Sequence, residues 1–526
     1  MKVGNLPRGY ARTRPDELAV IHEDTQITFS QFYENLKHIG QNFLNMGLKF
    51  GDRVGILTRN CPEILYSFYA FPNVGAITTP FNFSMSAKEI LYCVKDCTPR
   101  FLIYQPEFEE TIQLIKQNSS SVEHFIPTTQ FQTIIHETPD SPLKRLKFSK
   151  HSTAYILWTG GTTGFPKGVM ISHYNILTMI AMAGEMLIRG TEKFKESLLT
   201  DTLSKMLTAL PLFHGAGLFI SLCCMFGGIT FITQGQFDVI NTLKTIEKEK
   251  VSSLALVPTM LKRFIESPEL PKYDLRTLET IIYGAAPITP TILGKALDIF
   301  PNADFIQVFG QTEASPVLCI MGALDHATAR TNRKLLASCG RALSGIEIKV
   351  VDADCCEVAC GEVGEIIARG NNIMQGYWQK PDKTAQTVRD GWLHTGDLGK
   401  MDEEGFIYIT GRGKDLIISG GENIYPLEVE DALLSHPAVL ECAVIGIPDE
   451  NWGEAVTAFV ILQPGVKEGL DVTEEELINH VKSRIASYKK PQNIYFKRKL
   501  PKSPQGKILK RKIREPFWKD KARQVH

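Results

Sequence analysis

The sequence has 526 residues, which is too long for one hydrophobic core and predicts two to four domains or subdomains. Apolar residues make up 43% and charged residues 22%, the ordinary proportions of a soluble globular protein. The 58 basic and 58 acidic side chains balance, so no net charge directs the chain toward nucleic acid or an anionic membrane, and no nucleic-acid partner is expected.

The segment from residue 51 to residue 104 predicts a parallel sheet. Short apolar runs predict strands at Arg53–Leu57, Gly75–Thr79 and Phe101–Tyr104, and helical periodicity predicts helices at Glu63–Phe71 and Ala87–Asp96. Continuous apolar strands separated by helices indicate a parallel sheet that is covered on both faces.

The next stretch, WTGGTTGFPKG from Trp158 to Gly168, is rich in glycine and threonine. Glycine allows backbone N–H groups to approach a ligand, and successive N–H groups with threonine hydroxyls form a nest for anions. Apolar runs lead directly in and out, which favours a polyphosphate site over a flexible surface loop. It is not the usual P-loop, because Pro166 stands before Lys167 and the next segment reads as a strand instead of a helix.

This stretch resembles the phosphate-binding signature of the adenylate-forming enzymes, which include acyl-CoA synthetases, luciferases and peptide-synthetase adenylation domains. The resemblance implies that the loop binds the β- and γ-phosphates of ATP, with one threonine also a ligand of Mg²⁺. The residues implied in phosphate binding are Thr159, Gly160, Gly161, Thr162, Thr163, Gly164 and Lys167, and the metal-binding threonine is Thr162.

A second α/β half follows the loop. Ser172 is predicted to cap a helix over Asn175–Leu187, and a later helix is predicted over Val239–Glu249. The predicted strands of this half are Thr208–Leu210, Thr230–Ile232, Leu254–Val257, Thr280–Tyr283 and Phe305–Val308. The rhythm of strands and helices matches that of the first half, so two related α/β halves are expected.

Two small-residue segments at the ends of neighbouring strands predict a slot for a planar base, because open α/β sheets bind ligands at the carboxyl edge. Thr312 offers a hydroxyl for the α-phosphate, and Glu313 offers a carboxylate for Mg²⁺. The family usually has Tyr where this chain has Phe309, so stacking is retained and a hydroxyl contact is lost. The residues predicted to form the slot are Gly284, Ala285, Ala286, Val308, Phe309, Gly310, Gln311 and Thr312.

His214 follows a predicted strand in the run PLFHGAG. A lone histidine is more often a core residue bonded to a backbone carbonyl. In the adenylate-forming family, however, an aromatic residue or histidine at this place lines the acyl channel and gates the access of the thiol, so the resemblance reverses the preference and His214 is taken as a catalytic-site residue.

Short strands and tight turns after about Ser338 indicate a small β subdomain, with strands predicted at Glu347–Asp352, Gly364–Ala368 and Phe406–Thr410. Asp397 is predicted to accept hydrogen bonds from the ribose hydroxyls, and Arg412 to lie near the ribose and phosphates. Taken alone, each is more often a turn residue or a surface ion pair, but together and in this order they match the family.

A new unit begins at Lys414, which aligns with the hinge of the family. The glycines Gly420 and Gly421 leave room for the pantetheine arm of CoA, and Lys507, in a Pro/Gly-punctuated loop, aligns with the catalytic lysine. Further strands are predicted at Leu440–Ile445 and Val456–Leu462.

Two helices complete the predicted C-terminal unit. The first follows Tyr425 and runs through Leu434. The second spans Glu474–Ile485, with a capping box between Thr473 and Glu476.

The expected fold is therefore α/β: a large N-terminal body of two doubly wound α/β subdomains and a small β subdomain, then a small mobile α+β C-terminal domain. The expected domains are an adenylation domain over residues 1–413 and a mobile domain over residues 414–526 that carries the catalytic lysine. The resemblance covers nearly the whole chain and implies an acyl-CoA synthetase that uses ATP, Mg²⁺ and CoA to convert a carboxylic acid to its acyl-CoA through an acyl adenylate.

The sequence leaves several questions open. A medium- or long-chain fatty acid is favoured on general likeness, with aryl and branched acids, or transfer to a carrier protein, as alternatives. A catalytically silent acid-binding protein on the same fold is disfavoured, because binding alone does not need Lys507, Glu313, Asp397 and Arg412 together. Eleven cysteines without disulfide or zinc spacing, no signal-peptide pattern and no run of about 18 apolar residues predict a cytoplasmic protein without a membrane span. Peripheral membrane association and a homodimer are not decided.

Overall fold

Two large α/β sheets make up most of the chain. The structure is a computed structural model, and it describes residues 2–144, 146–159, 166–188, 204–286, 288–503 and 507–519. Over these residues the strands form four sheets, two large ones before residue 378 and two smaller ones after residue 345. The two-residue strand Gly376–Tyr377 pairs with the strand Lys167–Ser172 and forms one edge of a large sheet.

The first large sheet has seven strands, with a parallel centre and an antiparallel edge. Its strands, in spatial order, are β18 (Gly376–Tyr377), β8 (Lys167–Ser172), β7 (Thr153–Thr159), β4 (Ile77–Pro80), β3 (Arg53–Leu57), β5 (Phe101–Tyr104) and β6 (His124–Pro127).

The second large sheet has nine strands, again mostly parallel. Its strands, in spatial order, are β15 (Arg341–Ala342), β14 (Cys319–Met321), β13 (Asp304–Phe309), β12 (Thr280–Gly284), β11 (Ser253–Leu256), β9 (Lys205–Thr208), β10 (Thr230–Thr233), β1 (Leu18–His22) and β2 (Thr25–Thr28). This pair of sheets confirms the α/β class expected from the sequence.

Two smaller sheets of five strands each follow. The third sheet consists of β16 (Ile346–Val351), β17 (Gly364–Gly370), β19 (Val388–Arg389), β20 (Trp392–Met401) and β21 (Ile407–Arg412). The C-terminal sheet consists of β22 (Ile417–Ser419), β23 (Glu422–Ile424), β24 (Val439–Asp449), β25 (Gly453–Leu462) and β26 (Asn493–Phe496).

Helices connect and cover the strands. In the described parts of the chain they are α1 (Tyr10–Thr13), α2 (Phe29–Asn45), α3 (Pro62–Asn73), α4 (Ala87–Cys97), α5 (Glu109–Asn118), α6 (Thr128–His136), α7 (His173–Ile188), α8 (Gly215–Gly227), α9 (Val239–Glu249), α10 (Pro258–Ile265), α11 (Pro290–Ile299), α12 (Ala323–Ala329), α13 (Pro381–Thr387), α14 (Pro426–Leu434), α15 (Glu474–Lys482) and α16 (Lys510–Trp518). Within the residues described, none of these helices is both long enough and apolar enough to cross a bilayer.

One hydrophobic core runs between the two large sheets, and the C-terminal sheet has a core of its own. The two halves of the body are also joined by buried hydrogen bonds. Asn60 in the first half donates from Nδ2 to the Leu210 carbonyl (2.9 Å), and Tyr69 donates from its hydroxyl to the Ser221 carbonyl (3.0 Å). The body is therefore one packed unit of two α/β halves.

Most predicted elements are confirmed, although several begin or end a few residues away from the predicted positions. The strand predicted at Thr208–Leu210 is instead β9, which ends at Thr208, because the chain beyond it bonds to the side chain of Asn60 and not to a neighbouring strand. The helix predicted to reach Ile485 ends at Lys482.

The capping box predicted at this last helix is half formed. Thr473 Oγ1 accepts from the Glu476 N–H (3.1 Å), whereas the Glu476 carboxylate lies 3.4 Å from Nε2 of His436. The Glu476 carboxylate therefore contacts His436 instead of completing the capping box. The two residues are far apart in the sequence, so the local pattern does not predict this contact.

Candidate active site

The glycine-rich stretch joins two paired strands. β7 and β8 form an antiparallel hairpin in which Thr159 lies opposite Lys167, and Thr159 Oγ1 donates to the Lys167 carbonyl (3.4 Å). Trp158 donates from Nε1 to Thr79 Oγ1 (2.9 Å), which ties the hairpin to β4. Both ends of the loop are thus held by the sheet. The predicted phosphate-binding residues Gly160, Gly161, Thr162, Thr163 and Gly164 lie outside the described residues.

Lys167 and Glu313 meet around Tyr377. Glu313 is buried, with 8% of its surface exposed, and its Oε1 accepts a hydrogen bond from the Tyr377 hydroxyl (2.8 Å). The ammonium of Lys167 lies 4.2 Å from the centre of the Tyr377 ring. Burial lowers the pKa of Lys167, and the nearby Glu313 charge opposes this shift. Burial and the Glu313 charge raise the pKa of Tyr377, so its hydroxyl remains a donor.

The turn that carries Glu313 is held by hydrogen bonds from Asn372 and Met374. Asn372 donates from Nδ2 to the carbonyls of Ala314 (2.8 Å) and Val317 (2.9 Å), and the Met374 N–H donates to the Glu313 carbonyl (2.8 Å). The segment from Asn372 to Tyr377 therefore holds both the backbone and the carboxylate of Glu313. Sequence reasoning missed this segment, because short irregular stretches carry no periodic signal.

The two predicted slot segments lie side by side. β12 and β13 are parallel neighbours, with Gly284 opposite Val308. A Cβ at Gly284 would lie 2.2 Å from the Val308 carbonyl oxygen, so only glycine fits between the strands. Ala285 has a φ of 65°, in the left-handed region that non-glycine residues seldom adopt. The strained turn carries the chain, including Ala286, along the wall of the cleft.

The end of β13 presents polar groups to the same cleft. Phe309, Gly310, Gln311 and Thr312 all line it. The amide nitrogen of Gln311 is buried and has no hydrogen-bond partner, although a buried donor is normally paired. A ligand with an acceptor atom would satisfy it.

Asp397 and Arg412 form an ion pair across two strands. They are opposite residues of β20 and β21, and Arg412 Nε lies 2.7 Å from Asp397 Oδ1. Asp397 is buried with 5% exposed, whereas about a third of the Arg412 side chain is accessible, and both line the cleft. The pair brings a fixed carboxylate and a forked cation to the cleft wall.

His214 is the N-cap residue of α8. Its Nδ1 accepts from the Ala216 N–H (3.3 Å), which leaves Nε2 as the protonated nitrogen of the neutral ring. Burial, and then the Lys507 charge, lower the pKa of His214 to about 4, so the ring is neutral at neutral pH. His214 lines the cleft and is close enough to Lys507 for that charge to lower the pKa of the histidine.

Lys507 lies in the cleft beside charged groups of the body. Desolvation lowers the pKa of Lys507 to about 8, with Arg412 and Lys414 lowering it further against the carboxylates of Asp397 and Asp415. The residue keeps contact with solvent along the open cleft, so water screens part of this effect.

Two hydrogen bonds to Ser503 fix the backbone of Lys507. The Lys507 N–H donates to Ser503 Oγ (3.2 Å), and the Ser503 N–H donates to the Lys507 carbonyl (2.7 Å). Lys414 also lines the cleft, and its carbonyl accepts from Arg514 Nη1 (3.0 Å) in the helix after Lys507.

The structure does not bring Gly420 and Gly421 to the cleft lining. They form the turn between β22 and β23, with φ values of 61° and 85°. The Gly420 N–H donates to the Trp452 carbonyl (2.8 Å), and a Cβ at Gly420 would lie 2.6 Å from the Trp452 ring. In this arrangement Lys507 faces the cleft and the glycine turn does not.

The cleft has a volume of about 2290 Å³ and combines the polar groups above with a long apolar arm. One stripe of α8 lines the arm, with members three or four residues apart: Ala216, Phe219, Ile220, Cys223, Phe226 and Gly227. Other apolar residues that line the cleft include Ile180, Ala183, Met206 and Ile229. None of these wall residues carries a charge.

The fold and the site define an adenylate-forming enzyme, with two α/β halves, a small β subdomain and a lysine that the C-terminal unit brings to the cleft. Residues 8–378 match the family described as AMP-binding enzyme, and residues 428–507 match the AMP-binding enzyme C-terminal domain. The chain belongs to this family.

Known proteins resemble the chain along its whole length. It is 33% identical over 517 residues to a feruloyl-CoA synthase of Amycolatopsis, covering 98% of this chain and 99% of that protein. It is 33% identical over 536 residues to a long-chain-fatty-acid–CoA ligase of Bacillus subtilis, covering 95% and 92%. The crystal structure of ATP-bound MatB from Rhodopseudomonas palustris superimposes with a TM-score of 0.85 at 28% identity, covering 99% of each chain.

The protein is therefore an AMP-forming acid–thiol ligase of the acyl-CoA synthetase class. It activates a carboxylic acid with ATP through an acyl adenylate and joins the acyl group to CoA. The relatives act on acids of different kinds, so this likeness alone does not identify the acid.

Proposed function

We propose that the enzyme is a medium- or long-chain fatty acid–CoA ligase. The observation that carries this proposal is the apolar stripe of α8. From Gly215 to Gly227 the helix rises roughly 18 Å, at 1.5 Å per residue, and the stripe lines the cleft along this whole distance. An alkyl chain that lies along the stripe is stabilised by about 0.8 kcal/mol for each methylene removed from water. A compact aryl or branched acid would use only the part of the arm near His214.

Replacing Ile220 by tryptophan should shorten the arm, because Ile220 is half-buried in the middle of the stripe. Losing contact with about four methylenes costs about 3 kcal/mol, so kcat/KM for a long-chain acid should fall about 100-fold while a short acid is little affected. The assay is AMP release with acids of increasing length.

The matched control for this variant is Ile240→Trp, an exposed isoleucine of α9 outside the cleft lining, which should leave the profile unchanged. An equal loss for short and long acids in Ile220→Trp would contradict the proposed route of the acyl chain.

The first half-reaction joins two anions, so the site must neutralise charge and align the reactants. A carboxylate oxygen attacks the α-phosphorus, the bond from that phosphorus to the bridging oxygen breaks, and diphosphate leaves. We assign Thr159, Lys167 and the loop between them to the β- and γ-phosphates, and Lys507 to the α-phosphate and the substrate carboxylate. Thr312 and the unpaired Gln311 amide are assigned to the nucleotide in the slot between Gly284 and Phe309.

The ribose and the acyl group have separate partners in this proposal. Asp397 accepts from the ribose hydroxyls, and Arg412, already paired with Asp397, lies beside ribose and phosphates. Neutral His214, with its Nε2–H available, lies where the polar cleft meets the apolar arm and is assigned to the reacting carbonyl and the entry of the thiol.

The residues around Glu313 fit a Mg²⁺ ion that accompanies ATP. Mg²⁺ prefers oxygen ligands and is commonly held by one or two carboxylates with phosphates and water. The buried Glu313 carboxylate has one oxygen fixed by Tyr377. No group of three metal-binding side chains occurs among the described residues, so a single-carboxylate site is the form that these residues support. The ion would neutralise phosphate charge when bound, with Thr162 proposed as a further ligand.

The second half-reaction requires Lys507 to leave. The thiol of CoA attacks the acyl carbonyl, the bond from that carbon to the phosphate oxygen breaks, and AMP departs. We propose that residues 1–413 and 414–526 are the two domains, that the chain pivots at Lys414, and that rotation removes Lys507 and brings the Gly420–Gly421 turn to the thiol path. The position of that turn outside the present cleft supports a rotation between the steps.

The proposed role of Lys507 predicts a pH dependence. A lysine with its pKa lowered to about 8 is protonated below that pH, so kcat/KM for adenylate formation should be constant below it and fall above it. Thioester formation from supplied acyl adenylate should lack this fall. The rates of adenylate formation and of thioester formation, measured from about pH 6 to about pH 10, test this difference.

The control is Lys507→Arg, whose guanidinium stays protonated in this range and should remove the alkaline fall from whatever activity it retains. An alkaline fall of the same midpoint in Lys507→Arg would assign the titration to another group.

A further inference from the structure

A β-bulge in the C-terminal sheet presents a backbone carbonyl to the body. The register of β24 against β25 shifts between Val439 and Glu441, so Leu440 is the extra residue of the bulge. An extra residue of this kind is unpaired in the ladder. Its carbonyl instead accepts a hydrogen bond from the ammonium of Lys262.

Lys262 belongs to the body. It lies on α10, which buries Leu261, Phe264 and Ile265 in the core of the second half and leaves Lys262 half-buried at the cleft. The hydrogen bond to Leu440 thus joins a rigid helix of the body to the sheet of the C-terminal unit.

The same bulge is connected to the loop that carries Lys507. Glu441, the residue after Leu440, accepts from Lys502 Nζ (2.6 Å). Lys502 pairs with Ile508 in an isolated β-bridge that closes the loop around Lys507. Lys262, the bulge and Lys502 therefore form a continuous series of contacts from the body to the loop of Lys507.

We propose that Lys262 and the Leu440–Glu441 bulge form a latch that holds Lys507 in the cleft for adenylate formation and opens before thioester formation. The proposal rests on the proposed function, in which Lys507 serves the first half-reaction and the C-terminal unit then rotates. Leu440 and Lys262 lie on opposite sides of the hinge, so rotation about Lys414 separates them. The latch stabilises one of two domain arrangements, and its loss shifts their populations.

The latch is tested with Lys262→Met, which keeps an apolar stem of similar length and removes the ammonium. Single-turnover diphosphate release without CoA reports the adenylate step, and thioester formation from supplied acyl adenylate reports the second. We expect the first rate to fall about tenfold, the size of a lost hydrogen bond to a charged donor, and the second to be unchanged or faster. The KM for CoA should not change.

Two further variants make the test specific. Lys262→Arg retains a cationic donor and should restore most of the adenylate rate. Lys272→Met removes an exposed lysine of the body, paired only with its near neighbour Glu269 among the contacts described, and should behave like the wild type. Glu441→Gln, on the other side of the latch, should lower the adenylate step in the same direction as Lys262→Met.

The latch is overturned if Lys262→Met leaves both rates unchanged, lowers both equally, or acts mainly by raising the KM for CoA. These outcomes are distinct from a failure of the proposed function. If the proposed role of Lys507 is wrong, Lys507→Ala will also fail to slow the adenylate step selectively in the same two assays.

Discussion

Lys507→Ala should strongly slow adenylate formation and spare thioester formation. Lys507 is the cation that the C-terminal unit places in the cleft. It is close enough to Arg412 and Asp397 for their charges to affect its pKa, and close enough to His214 to lower the pKa of that ring. Removing one group that stabilises transition-state charge commonly costs about 10²- to 10³-fold in rate, and we expect a loss of that size in the first step. Diphosphate release and the conversion of supplied acyl adenylate by CoA measure the two steps separately.

The control for this variant is Lys499→Ala. Lys499 belongs to the same basic region of the chain, is exposed and is not part of the cleft lining, so its loss should change neither rate by more than about twofold. An equal loss of both half-reactions in Lys507→Ala would contradict the assignment of Lys507 to the adenylate step.

Lys414→Pro should have the opposite effect. Lys414 lies in a short 3₁₀ turn, Gly413–Asp415, and the usual φ range of 3₁₀ helices includes the value that proline imposes. The present arrangement should therefore tolerate proline, whereas a rotation that changes φ at this residue is opposed. A backbone mismatch of about 3 kcal/mol corresponds to roughly a 100-fold slower thioester step. The adenylate step should change by less than about threefold.

Lys414→Ala is the matched control, because it removes the side chain and leaves the backbone free to rotate. It should retain the thioester step. If Lys414→Pro forms thioester from supplied acyl adenylate at the wild-type rate, the pivot does not lie at Lys414.

The two variants and the latch test one proposed mechanism. In this mechanism Lys507 serves the first step, Lys414 allows the change of arrangement, and Lys262 sets the balance between arrangements. Each contact that stabilises the adenylate-forming arrangement slows the departure from it. Lys262→Met and Lys414→Pro should therefore affect opposite half-reactions.

The slot is the part of the candidate site that sequence reasoning placed best. Parallel strands end at one edge of a sheet, so residues at the ends of β12 and β13 had to be neighbours, and the structure pairs Gly284 with Val308. Asp397 and Arg412 were predicted as separate ligands of the nucleotide. Their direct ion pair depends on the pairing of β20 with β21, which no local pattern encodes.

The contacts that sequence reasoning missed join distant segments. Tyr377 lies 64 positions from Glu313, on a strand of two residues, and Lys262 lies 178 positions from Leu440, at a bulge. Strand bulges and irregular segments have no characteristic period. The position of Lys507 in the cleft was also unpredictable, because it depends on how the C-terminal unit packs against the body, which no local pattern encodes.

The proposal that this enzyme is a fatty acid–CoA ligase can be tested with a panel of acids. The most direct measurement is AMP release from ATP and Mg²⁺ with short, medium and long fatty acids, an aryl acid and a branched acid, each with and without CoA. We expect turnover that requires both CoA and a medium or long fatty acid. Turnover confined to the aryl or branched acid, or diphosphate release with no CoA-dependent turnover, would contradict it and indicate a different acid or a carrier protein as the acyl acceptor.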